Sequence, residues 1–265
     1  MPVTTFPLGD RGVDDVRRAA ALLAIPLTWA LVLGETVGSA VAGGADDRSG
    51  GSGRGGSLGT GNGYVDRRAW RDRQDAFLAF ATEELSPTSP ANVLAHATRA
   101  ERDRSFAFDA RTIGPEHFAR TFEKIDAFLD TSDFDLLALM ALWQRHRRDL
   151  APELRSAIEQ RFLRFRYWYT DPLPAGVVDE KWFWTENHRI IHHTLEHLAG
   201  RALPGATFAV TGETGRTHAT RGRQRIEAWL DEKARWGFSE WHSDVYYQED
   251  IEALTLLAEH AERGI

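Results

Sequence analysis

The stretch KWFWTENHRIIHHTLEH, Lys181 to His197, decides how this chain is read. Ile191, Leu195 and Leu198 recur at four- and three-residue spacing, the period of one helix face. Glu186 and Asn187 stand where a helix N-terminus favours acids and short polar side chains, so helix capping alone accounts for them in part. Pro204-Gly205 closes the segment, and the pattern predicts a helix over 186–203. A cap does not require the whole Trp-Thr-Glu-Asn-His string, which argues for a further role.

Helical patterning extends outward on both sides. Upstream, 66–84 carries Trp70, Phe77, Leu78 and Phe80 and stops at Ser86-Pro87, and 90–101 makes a shorter helix. Phe118, Phe122, Ile125 and Phe128 recur behind Pro115, a helix-opening proline. Ser132-Asp133 reads as a cap for 134–147, and Pro152 opens a helix through Phe165. Downstream, one helix is expected over 214–235, ending at Gly237, and a last one over 250–262. Thr211 to Gly215 is rich in glycine but lacks a GK[ST] ending, so it reads as a turn rather than a phosphate loop. Arg216, Arg221, Arg223 and Arg225 read as a solvated helix face. The expected fold class is all-α: antiparallel helical hairpins forming an α/α toroid or a partial arc of one.

The N-terminal quarter is different in kind. Residues 1–18 end in Arg17-Arg18, Ala19 to Gly34 is uncharged and mostly apolar, and Ala40-Val41-Ala42 has the small-x-small form of a signal-peptidase site. Residues 1–42 are therefore expected to be a signal peptide or an N-terminal membrane anchor, since 19–42 is long enough to span a bilayer. Residues 43–63 form a Gly/Ser-rich flexible linker, and 64–265 the helical domain. The protein is expected to be exported, extracellular or at the cell surface, with a membrane tether as one option.

Net charge is −7, which argues against a non-specific nucleic-acid binder. The absence of cysteine excludes disulfides, thiolate zinc sites and cysteine nucleophiles. No cofactor is expected. His188/His192 and His193/His197 each have the i, i+4 spacing of a two-ligand helix face. The two pairs point about 100° apart around the helix and no HExxH pattern joins them, so no metal is assigned. His192 and His193 are expected to flank the core stripe, with His197 partly exposed.

Two aromatic-rich loops suggest the chemistry. Residues 167–184 hold two prolines, two tyrosines and three tryptophans, and long unstructured connections of this kind are often functional. Residues 237–250, GFSEWHSDVYYQED, use the same vocabulary of Trp, His, Tyr and carboxylate. Such interleaving suits a carbohydrate-binding cleft, and a poly- or oligosaccharide is the expected partner.

The stretch from Phe165 to Leu257 resembles a group of uncharacterised prokaryotic proteins that share a W-[ST]-E-N-H helix start and a G-F-x-E-W-x-S-x-x-Y element. It is more loosely similar to the α/α-toroid polysaccharide lyases and six-hairpin glycosidases. The chain offers fewer helices than a complete toroid, so an incomplete ring is expected. The lyase resemblance implies that Asn187 neutralises a uronate carboxylate, with His188 as base and Tyr246 or Tyr247 as the acid/base partner. Arg189 would offset negative charge. Trp182, Trp184 and Trp241 would stack on sugar rings, with His242 beside them. The alternative is a glycoside hydrolase using paired carboxylates, Glu186 with Glu240, from a set that includes Asp244 and Asp250. A third reading is a non-catalytic glycan-binding or tethered helical module. Uronate β-elimination ranks first among these expectations.

Overall fold

In a computed structural model of the chain, residues 67–240, 243 and 245–261 are described. The expected leader or anchor, the linker, and the candidate residues Trp241 and His242 lie outside the described residues.

The fold is all-α. The described residues form eight α-helices with two short 3-10 turns and no strand; one antiparallel bridge joins Thr207 and Thr214. We number the helices α1 (Arg67–Ala81), α2 (Pro90–Arg102), α3 (Ala119–Asp126), α4 (Ser132–His146), α5 (Pro152–Arg164), α6 (Glu186–Ala202), α7 (Gly215–Trp236) and α8 (Tyr246–His260). None of them is long and apolar enough to cross a membrane.

Local chemistry sets most of the boundaries. Pro90 and Pro152 occupy the first turn of α2 and α5, where their missing N–H costs nothing. Ser89 caps α2 by accepting from the Asn92 amide, and Thr214 caps α7 by accepting from the Thr217 amide. The 211–215 segment is thus the expected turn. Gly237 ends α7 with φ 76°, a conformation that glycine adopts without steric cost.

Three boundaries differ from the sequence reading. Pro115–Phe118 is a 3-10 turn, and the α-helix proper starts only at Ala119. α8 begins at Tyr246 rather than at residue 250, where the Ser243 hydroxyl accepts from the Tyr246 amide. α4 begins at Ser132 itself, behind Thr131 at φ 60°, with no side-chain cap. Ser132 and Asp133 are both fully buried, so neither acts as the expected surface cap.

α6 is the central helix. It packs most extensively on α7, then on α8 and α4, while α2, α3 and α5 pack around α4. The middle of α4, 136–143, is apolar on all sides, with Leu136, Leu137, Leu139, Met140, Ala141 and Leu142 inaccessible to solvent, as a helix in the middle of a core must be. α6 is buried over nearly its whole length although it carries four histidines and two glutamates. Each of those polar groups needs a partner from a neighbouring element, and meeting that need builds the site.

α6 and α7 meet at backbone distance. A Cβ on Gly222 would lie 2.6 Å from the His197 nitrogen, and one on Gly200 would lie 2.4 Å from the Ala219 nitrogen. That closeness corrects the expectation that His197 is partly exposed: it is buried, and its Nδ1 bonds to the Ala219 carbonyl at 2.8 Å. The arginine run is corrected in part. Arg221 and Arg225 turn inward to Glu196 at 2.8 and 2.7 Å, while Arg216 is exposed and Arg223, paired with Glu227, stays at the surface.

Candidate functional site

The candidate residues gather where the N-terminal end of α6 meets α4, the start of α8 and the segment after α7. Glu186 opens α6, but its carboxylate does not cap its own helix. It accepts from Lys233 Nζ at 2.6 Å, from the Ser239 amide at 2.8 Å and from the Glu240 amide at 2.9 Å. Burial works against its charge, yet these three donors outweigh it and hold the carboxyl below the usual range. The Glu186 carbonyl also accepts from the indole of the buried Trp229 at 3.1 Å. Glu186 therefore ties α6 to α7 and to the chain leaving α7.

Asn187 is buried, and its amide nitrogen donates to Glu249 on α8. Its Oδ1 is buried without a hydrogen-bond partner. Burial raises the Glu249 carboxyl above the ordinary range; the Asn187 bond and the His188 charge oppose this, and the Glu240 charge adds to it. Burial and the Glu186 charge likewise raise Glu240, one oxygen of which is buried and unpartnered. Next to them Asp250, buried with both oxygens unpartnered, is pushed up to about 7 by burial and by the charges of Glu186 and Glu240. Four acids thus crowd one junction, with Lys233 as the lysine among them.

His188 points to α4, where its Nδ1 lies 2.6 Å from Asp133 Oδ2. Burial disfavours the protonated ring, but the bond to Asp133 and its charge outweigh that and raise His188 above the ordinary histidine value. His192, one turn on, stacks between Phe165 and Phe183 and puts Nε2 3.2 Å from the Trp182 carbonyl and 3.9 Å from Asp133 Oδ2. Burial first, then the charge of Lys181, drives His192 well below the ordinary value. Asp133, His188 and His192 form a buried two-histidine, one-carboxylate group whose ligand atoms all lie within 4.8 Å of one another. The other histidine pair faces elsewhere: His193 packs on Trp168 at 4.6 Å, and His197 meets α7.

The remaining candidates surround this junction unevenly. Arg189 is bound to Glu232 at 2.9 Å. Trp182 and Trp184 are exposed, and Trp184 lies 6.0 Å from the half-exposed Tyr169. Tyr246 is exposed on the first turn of α8, while Tyr247 rests its ring on Phe238 at 5.1 Å. The 167–184 loop that carries the aromatic residues is anchored from below. Asp179 accepts from Arg166 at 2.6 Å and from Lys181 at 2.9 Å, and burial lowers Lys181 to about 8.

Sequence reasoning missed Asp133 and Glu249. Asp133 carried the signature of a helix cap, and Glu249 is one acid among several in YYQED; only the packing of α4 and α8 on α6 singles them out. A second buried network, Glu196 with His218 at 2.9 Å, Arg221 and Arg225, has both carboxylate oxygens taken and joins α6 to α7. Comparison with family models, with curated proteins and with solved structures gives no match.

Proposed function

We propose that the protein is a carbohydrate-active enzyme that cleaves glycosidic linkages by acid–base chemistry, on helices arranged as an arc of an α/α toroid. The observation that carries this reading is the junction of Asn187, His188, Glu240 and Glu249, with the exposed Trp182 and Trp184 just ahead of it in the chain and Tyr169 against Trp184. Neighbouring carboxyls raised above their ordinary range hold a proton more readily, which suits a general acid. Exposed indole and phenol rings offer flat faces on which sugar rings stack. The N-terminal segment would deliver the domain to the cell exterior, or tether it there, where polymeric glycans are met.

Of the two cleavage chemistries, the charge balance favours hydrolysis. Glu240 and Glu249 serve as the carboxylate pair, and Glu186, whose oxygens are occupied by Lys233 and two backbone amides, positions the segment that carries Glu240. A uronate entering this acidic junction would need a cation, and Arg189 and Lys233 are already paired with Glu232 and Glu186. The lyase reading is second, favoured by one specific observation: Asp133 raises the basicity of His188, which suits abstraction of a carbon-bound proton. In that reading Tyr246 supplies the proton to the leaving oxygen.

Product masses from the full-length chain incubated with neutral and uronate-containing oligosaccharides test the proposal. Hydrolysis gives fragments that together gain one water; β-elimination gives no such gain and leaves an unsaturated, ultraviolet-absorbing end. No cleavage of any member of such a panel would overturn the enzymatic reading.

A further inference from the structure

We infer that Asp133, His188 and His192 form a binding site for one divalent transition-metal ion of the zinc class. The inference goes beyond the glycan reading and shares His188 with it; ligation would replace the Asp133–His188 bond that the lyase version uses, while the test concerns metal affinity and needs no substrate.

The donor set is one carboxylate and two imidazoles, which suits zinc and its neighbours in the first transition row rather than magnesium or calcium, which prefer all-oxygen shells. The two histidines are one helical turn apart on α6, and the carboxylate comes from α4, so helix packing presents the three ligands from two rigid elements. For tetrahedral zinc with ligand bonds of about 2.1 Å, neighbouring ligand atoms stand about 3.4 Å apart. The observed separations bracket that value: Asp133 Oδ2 is 2.6 Å from His188 Nδ1 and 3.9 Å from His192 Nε2. All three ligand atoms lie within 4.8 Å of one another.

Unsatisfied polar atoms set this group apart. Asp133 is fully buried, and its second oxygen has no hydrogen-bond partner. The Ser132 hydroxyl beside it in the chain and Asn187 Oδ1, beside His188, are likewise buried and unpartnered. Buried polar atoms are nearly always satisfied, so the unpartnered Asp133 oxygen is unusual. Without an ion, His192 Nε2 donates to the Trp182 carbonyl at 3.2 Å; ligation exchanges that bond for a metal bond and moves the ring proton to Nδ1, which has no other partner. Three protein ligands leave tetrahedral zinc one open position, the pattern of a catalytic rather than a structural site.

The test uses the full-length, tag-free chain, stripped with chelator and titrated with Zn²⁺ against a competing chelator dye. We expect one equivalent bound with submicromolar affinity, and no comparable binding of Mg²⁺ or Ca²⁺. Asp133→Asn, nearly isosteric, weakens zinc binding at least about 100-fold, whereas His193→Gln, on the other face of α6, leaves it unchanged. Should Asp133→Asn fail to fold, ¹⁵N chemical shifts of the wild-type imidazoles decide: zinc must shift a ring nitrogen of both His188 and His192. Zinc binding that Asp133→Asn leaves intact, no binding by the wild type, or unshifted His188 and His192 nitrogens would each overturn the inference.

Discussion

Asp250 sits just past the first turn of α8, buried, with neither carboxylate oxygen hydrogen-bonded. The charged groups facing it are Glu186 on α6, Glu240 after α7, Lys233 on α7 and Glu249 on its own helix; three are acids. Its folded value of about 7 lies above the unfolded value of about 4, so between these limits the folded chain binds the proton more tightly. Stability contributed by this group therefore falls as pH rises from about 4 to 7 and is flat above that. Asp250→Asn is expected to raise stability at pH 8 by about 1–3 kcal/mol relative to its effect at pH 4. Urea unfolding at the two pH values checks this, and an equal effect at both would contradict it. Glu186 makes the opposite case, a buried acid whose charge is fully answered. Glu186→Gln leaves Lys233 without its buried counter-charge and is expected to cost about 3–5 kcal/mol, while the added change Lys233→Met restores most of the loss. A double variant no more stable than the single one would argue against a specific pair.

Among the elements, the contact of α6 with α7 decides where the functional side chains point. Gly222→Ala must push the His197 backbone away, because the new Cβ would lie 2.6–3.0 Å from His197 and His193 main-chain atoms. A destabilisation of about 1–3 kcal/mol is expected, measured by urea midpoint, against almost none for Gly205→Ala, where nothing lies within 4 Å. A neutral Gly222→Ala would mean that the helices can part without cost. Most helices were legible in the sequence because their signals are local: Pro90, Pro152 and Thr214 act within one turn of where they stand. The start of α8 was not legible, since Tyr246, Tyr247 and Gln248 look like loop residues next to the aromatic cluster. Asp133 was misread for a deeper reason. A carboxylate at a helix start has the same sequence signature whether it caps the helix or pairs with an imidazole 55 positions away. The histidine pairs show both sides of this: periodicity alone separated 188/192 from 193/197, but only the packing of α4 on α6 supplied the former pair with a third partner.

Over the whole molecule, the fold brings some of the residues singled out from the sequence together and holds others apart. Asn187, His188 and Glu240 do converge with a residue from α8, but that residue is Glu249, while Tyr246 stays on the surface and Arg189 is held by Glu232. In the proposed function this junction performs acid–base chemistry on a glycan, with Glu249 as one of its two working carboxyls. The most direct test is kcat/KM of Glu249→Gln on whichever oligosaccharide the wild type cleaves, alongside its thermal midpoint. Loss of a general acid or base is expected to lower kcat/KM at least about 100-fold. The midpoint should change little, because the Asn187 amide can still donate to the Gln carbonyl oxygen. Undiminished turnover by a folded Glu249→Gln protein would contradict the account.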